Sequence, residues 1–100
     1  MLFRSVGNPG TVTSVADYRV LKGVKVYPNP VGKELNVRFE NLQRNVSLRL
    51  LSVEGRILQH KRINGVSQLQ TLSLDQLHQG LYLLEVITEE GKTTFPIIRQ

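Results

Sequence analysis

The sequence predicts an all-β fold, a seven-stranded antiparallel Greek-key β-sandwich of the immunoglobulin-like type. Two observations carry this prediction. Apolar and polar residues alternate along a series of short runs, which is the period of a strand with one face in a core. Glycine, proline and asparagine separate these runs at short intervals, and no long helical pattern occurs between them.

Residues 1–22 differ from the rest of the chain, because they are rich in small and polar residues and show no sustained period. Asn8-Pro9-Gly10 is a turn signal, and one extended piece is expected near residues 11–15. We interpret residues 1–22 as a linker or the tail of something upstream. The folded domain is therefore expected to span residues 23–100.

The first half of the domain predicts three strands. Residues 24–26 form a short strand, which ends before Pro28 and Pro30 because neither proline has an N–H group for a ladder. Residues 34–40 alternate cleanly between apolar and polar side chains, and residues 46–50 repeat that period. The apolar positions that face the core in these two strands are Leu35, Val37, Phe39, Val46, Leu48 and Leu50.

Two turns and two further strands follow. Residues 52–55 predict a hairpin turn, in which Gly55 takes the left-handed conformation that a tight loop requires. Residues 56–63 form a more polar strand, as expected near a sheet edge, and Asn64-Gly65 marks the next turn. Residues 69–74 then alternate again and place leucines on the core face.

The last part of the chain predicts a corner and two strands. One helical or 3₁₀ turn is expected at residues 75–78, with Asp75 as its cap. Residues 81–87 are apolar on both parities, as in a central strand, and residues 89–92 form a hairpin turn. Residues 93–98 close the domain as an edge strand.

Two details of these last strands bear on function. Tyr82 lies just after the corner at Gly80. Sandwich domains often hold such a corner with a tyrosine hydroxyl that hydrogen-bonds to the backbone. In the last strand, Phe95 and Ile97 alternate with Pro96 and Ile98. One pair is therefore expected to anchor the strand and the other to be displayed.

The sequence indicates no catalytic chemistry, and neither an enzyme activity nor a cofactor is expected. Cysteine does not occur, so no disulfide or cysteine-based zinc site can form. The two histidines, His60 and His78, have no ligand partners at a metal-binding spacing. No serine lies in a nucleophile elbow, and no glycine-rich phosphate loop occurs.

Nucleic acid and membrane are not expected as partners. The net charge is +5, but the 13 lysines and arginines are scattered and the aromatic residues do not alternate with them. Polar residues interrupt every apolar run well short of the roughly 18 residues that a membrane-spanning helix needs.

The order of the motifs resembles a known family. The blocks are residues 27–37 (YPNPVGKELNV), residues 48–58 (LRLLSVEGRIL) and residues 72–86 (LSLDQLHQGLYLLEV), followed by Gly91 and a short last strand. Together they are similar to the type A C-terminal sorting domains of the type IX (Por) secretion system. The resemblance covers about residues 24–100. At the positions where that family usually carries a lysine, this chain has Phe95 and Pro96.

The resemblance implies a non-catalytic secretion signal. Such a domain is attached to an upstream cargo, is recognised by the type IX apparatus at the outer membrane, and is commonly removed by a sortase-like peptidase. The cargo passes through the periplasm and ends at the cell surface or outside the cell, and the linker at residues 1–22 would hold the cleavage junction. The residues assigned to the motifs or to recognition are Pro28, Asn29, Pro30, Gly55, Gly80, Tyr82, Gly91, Ile97, Ile98 and Arg99.

The alternative is an adhesive or carbohydrate-binding immunoglobulin-like module of an exported enzyme. Such a module needs several exposed aromatic rings on one face, and the pattern leaves only Tyr27 and Phe95 for that role. A third possibility is an immunoglobulin-like spacer that only separates domains.

Overall fold

The computed structural model describes residues 20–100, and this part of the chain is all-β and antiparallel, as predicted. It contains five strands, which are β1 (Val24–Tyr27), β2 (Glu34–Leu51), β3 (Ile57–Ser73), β4 (Gly80–Thr88) and β5 (Gly91–Arg99). The extended piece expected near residues 11–15, and most of the expected linker at residues 1–22, lie outside the described residues.

The long strand β2 is the centre of the sheet. Its first half lies between β1 and the end of β3, where Leu35 is opposite Leu72. Its second half lies between the start of β3 and β4, where Leu48 is opposite Lys61 on one side and Val86 on the other. Strand β5 pairs with the far side of β4. The long β2–β3 hairpin thus runs through a single sheet that curls into a half-barrel.

The prediction of a seven-stranded Greek-key sandwich is not confirmed, because two predicted breaks are bulges within paired strands. The pairing of β2 with β3 shifts register twice between residues 38 and 46 of β2. Asn45 and Gly65 take positive φ there, 53° and 88°. A left-handed residue between two strands that stay paired increases their twist without reversing the chain. Asn64-Gly65 therefore bends β3 and does not end it.

The core contains every position that the alternation of residues 34–50 predicts, each at most 1% exposed. It also contains Leu21, which is 4% exposed and lies within the expected linker. The N–H group of Leu21 donates to the carbonyl of Lys92 at 3.0 Å. The folded unit therefore includes a residue that no strand period marked. Within residues 20–100, the buried apolar residues are Leu21, Val31, Leu35, Val37, Phe39, Val46, Leu48, Leu50, Leu72, Leu74, Leu84, Val86 and Ile97.

The predicted turns differ in how they form. Gly55 has φ of 94° and its N–H donates to the carbonyl of Ser52 at 2.9 Å, which confirms the hairpin turn. Residues 75–78 make one hydrogen-bonded turn, from Leu77 N–H to the Leu74 carbonyl at 3.0 Å, and no helix follows. The expected cap is replaced by a bond from the Asp75 N–H to the Ser73 hydroxyl.

Candidate functional site

The last strand, β5, buries one row of side chains and displays the other. Ile97 is fully buried and Phe95 packs against the core, whereas Ile98 is 51% exposed and Pro96 is exposed. This is the alternation that the sequence predicts for residues 95–98. The strand pairs with β4 over its whole length, so its position in the sheet is fixed by nine opposed residues. Pro96 and Ile98 are therefore exposed apolar side chains on a strand that is paired along its length.

The Asn29 side chain holds the outer edge of β5. Its Oδ1 accepts a hydrogen bond from the Ile98 N–H at 3.0 Å, and its Nδ2 donates to the Pro96 carbonyl at 3.0 Å. The amide thus offers one acceptor and one donor to one strand, as the backbone of a neighbouring strand would. The flanking residues Pro28 and Pro30 have no N–H group, so the side-chain amide supplies the donor here.

Val31 continues this pairing through its backbone. Its N–H donates to the Ile98 carbonyl at 2.7 Å, and its carbonyl accepts from the Gln100 N–H at 2.9 Å. Val31 itself is fully buried. Residues 28–31, called the clamp below, therefore bind the edge of β5 from Pro96 to Gln100. The sequence identifies the Pro-Asn-Pro motif, but nothing in its local pattern shows which strand the motif binds.

Arg99 belongs in part to the fold. Its Nε donates to the carbonyl of Leu74 at 3.1 Å, and its Nη1 donates to the carbonyl of Gln100 at 2.5 Å. The side chain is half-buried and lies on a strand position opposite Gly80. A substitution of Arg99 would therefore disturb the corner at Leu74 as well as any external contact.

Tyr82 has the corner role that the sequence predicts. Its hydroxyl donates to the carbonyl of His78 at 2.8 Å, and its ring packs against the core. Tyr82 lies opposite Ile97 in the register of β4 and β5. Fixing this corner therefore also fixes the strand against which Ile97 is paired.

The structure brings most of the predicted recognition residues to one region and leaves two apart. The clamp, Tyr82 and the end of β5 are in direct contact or register. Gly91 lies opposite Thr88 at the other end of β5 from Ile98. Gly55 lies in the turn between β2 and β3 and serves that hairpin.

A buried carboxylate lies on the same face of the sheet as Ile98. Glu85 is 7% exposed and binds Arg49, while its Oε2 is 3.0 Å from the Lys92 ammonium. Burial alone would raise the pKa of Glu85, but the hydrogen bonds from Lys92 and Arg49 and their charges outweigh it and lower the pKa below its usual 4.5. The arrangement is two structural ion pairs that share Glu85 and join the strands β2, β4 and β5.

No arrangement within residues 20–100 suggests catalysis. These residues contain no group of His, Cys, Asp or Glu that could hold a metal ion. The ring of His60 shares a hydrogen bond with the Ser47 hydroxyl at 2.9 Å. Within residues 20–100, no carboxylate is hydrogen-bonded to either side chain. A bilayer-crossing helix is likewise not found in this part of the chain.

The comparisons with known proteins agree with the motif order. The family model described as the secretion system C-terminal sorting domain matches residues 25–100. This range begins within β1 and includes the clamp, the corner at Tyr82 and all of β5. A search among curated proteins finds no match.

Proposed function

The chain belongs to the family of secretion system C-terminal sorting domains, and from this premise we propose that its folded form is recognised by the type IX apparatus at the outer membrane. The family assigns the domain as a sorting signal for type IX secretion and implies export to the cell surface or the extracellular space. The folded form matters because the clamp and β4 hold β5 in one conformation. We assign the main contact to the displayed side chains of Pro96 and Ile98.

The observation that supports recognition of a folded strand is the closed edge of β5. An extended signal peptide would need free N–H and C=O groups, but Asn29 and Val31 bind those of Pro96, Ile98 and Gln100. A receptor that meets the folded domain therefore encounters side chains at this edge. Ile98, at 51% exposure, is the large hydrophobic side chain that β5 exposes.

We further propose that the attached cargo passes through the periplasm and that a sortase-like peptidase then removes the domain. A protease needs an extended, unpaired backbone. Because Leu21 is buried and its N–H is bonded to Lys92, the proposed junction lies before Val20, in the segment that we interpret as a linker. The cargo would then remain at the cell surface or be released.

The adhesive or carbohydrate-binding alternative finds no support in the described residues. Phe39 is fully buried, and Phe95 and Tyr82 pack against the core. Tyr27, at 39% exposure, is the one exposed aromatic side chain within residues 20–100. A sugar-binding platform needs more than one such ring, so the sorting function is favoured.

The proposal is tested with a secreted reporter fused ahead of residues 1–100. The reporter is expressed in a host with a working type IX system and in the same host without it. We expect surface or extracellular reporter in the first strain and periplasmic reporter in the second. Export in both strains, or in neither, would contradict the proposed function. Deleting residues 96–100 is a weaker test, since it also removes Ile97 from the core.

A further inference from the structure

The outer edge of β3 is open over its first half. Residues 57–63 pair with β2 on one side, and no other strand within residues 20–100 pairs with them. An unpaired strand edge presents alternating N–H and C=O groups that a further strand can bind. At about 3.3 Å per residue, these seven residues offer an edge of roughly 23 Å.

The other long edges of the described sheet have some of their backbone groups bonded. On β5, Leu21 binds the carbonyl of Lys92, and the clamp binds from Pro96 to Gln100. On the second half of β3, side chains from the first half bond two carbonyls near the end of the strand. Lys61 Nζ donates to the Thr71 carbonyl at 3.1 Å, and Gln59 Nε2 donates to the Ser73 carbonyl at 2.9 Å.

The short edge of β1 is also poorly suited to pairing. β1 has four residues and leads directly into Pro28 and Pro30, which have no N–H group to donate. Among the described strands, residues 57–63 of β3 therefore form an unpaired edge long enough to pair with another strand. Backbone and side-chain groups thus bond parts of the edges of β5 and of the second half of β3, whereas no strand within residues 20–100 pairs with the outer edge of residues 57–63.

The charge of β3 determines which strand it can accept. β3 contains no aspartate or glutamate over its 17 residues, and it carries Lys61 and Arg62. Arg62 is exposed, and Ile57, five residues earlier on the same strand, is 50% exposed. Like charges that face each other across strands are destabilising, whereas opposite charges are favourable. Two copies of β3 would therefore repel each other in the registers that bring Lys61 or Arg62 of one copy opposite those of the other, and an acidic strand would be attracted.

From these observations we propose that residues 57–63 are a docking edge for an extended acidic segment of a partner protein. The segment adds to the sheet beside β3 and places carboxylates near Arg62. The inference rests on the proposed function in one respect, that the partner belongs to the secretion machinery. The docking edge would then give a second contact besides the displayed face of β5.

The edge is tested directly with the complete 100-residue chain and two peptides. One peptide has seven residues of alternating threonine and glutamate, and the other has lysine in place of glutamate. Exchange of backbone amides within residues 57–63 should slow about twofold when the acidic peptide is at its dissociation constant. Arg62→Glu should weaken its binding by about fivefold, as expected for a cross-strand pair that changes from attractive to repulsive. Equal binding of both peptides, or protection confined to β5, would overturn the proposal.

The role in export is tested with the reporter carrying Arg62→Glu, with Arg38→Glu as its matched control. Arg38 is also exposed, but it lies on β2 between β1 and β3, so its backbone forms no edge. Export should fall for Arg62→Glu and stay near wild type for Arg38→Glu, with Arg62→Gln used if the first variant does not fold. Equal export of the two charge reversals would refute the docking edge while leaving the sorting function intact. Failure of the wild-type reporter would instead refute the sorting function, and the peptide result would still decide the edge.

Discussion

Replacing Asn29 with alanine tests whether the clamp holds β5. The substitution removes two hydrogen bonds, from Ile98 N–H to Oδ1 and from Nδ2 to the Pro96 carbonyl, both 3.0 Å long. A hydrogen bond contributes about 0.5–1.5 kcal/mol net to stability. Both bonds lie at an exposed edge, where water can replace part of what is lost. We therefore expect a loss of about 1–2 kcal/mol in the free energy of unfolding.

The assay is chemical and thermal denaturation of the 100-residue chain, with amide exchange at Ile98 as a local probe. A loss of this size lowers the melting temperature of a domain of this length by roughly 4–15 °C. Asn41→Ala is the control, because Asn41 is exposed and its side chain makes no hydrogen bond to any residue within 20–100. Asn29→Asp keeps the acceptor for Ile98 but loses the donor, so it should also destabilise. If Asn29→Ala and Asn41→Ala had equal stability and Ile98 exchanged as in wild type, the clamp would be refuted.

Three further predictions concern the fold. Leu21→Ala should lower the free energy of unfolding by about 2–5 kcal/mol, because Leu21 is only 4% exposed. Val20→Ala is the control, since Val20 is 72% exposed and its replacement should change stability by no more than about 0.5 kcal/mol. Equal denaturation midpoints of the two variants would exclude Leu21 from the core. Gly55→Val should lower the free energy of unfolding by about 1–3 kcal/mol. The cause is backbone strain at φ of 94°, because no other heavy atom of residues 20–100, apart from its chain neighbours, lies within 4 Å of the added Cβ. Arg56→Ala should be nearly neutral in the same denaturation measurement. The lowered pKa of Glu85 means that the unfolded chain binds its proton more readily, so this contribution to stability is present above about pH 4.5 and is lost as the pH falls through the folded pKa. Glu85→Gln should flatten the stability profile below pH 4.5, and an unchanged profile would contradict the assignment.

The sequence predicts the core and the class of this fold well, because both depend on local periodicity. Alternation alone places Leu35, Val37 and Phe39 inside, and all three are fully buried. Gly55 and Gly65 look alike in sequence, yet one closes a hairpin and the other lies within a paired strand. Which outcome follows depends on whether β2 has a matching irregularity, and that is a long-range property.

The candidate site was predictable in its motifs but not in its contacts. The Pro-Asn-Pro motif stands out because two prolines flank one amide, but the partners of Asn29 lie 67 and 69 residues further along the chain. Arg99 was assigned to recognition, and its guanidinium also binds the carbonyl of Leu74, a contact that the sequence does not show. Leu21 has no apolar neighbour at strand spacing that could have marked it as core.

The most direct test of the central claim compares two exposed apolar residues in the export reporter. Ile98 and Leu69 are each 51% exposed, and Ile98 lies on β5 whereas Leu69 lies on β3 outside residues 57–63. Ile98→Ser should leave the domain folded but retain the cargo in the periplasm. Leu69→Ser should leave both folding and export near wild type. Equal export of the two variants, with both domains folded, would contradict recognition through the displayed face of β5.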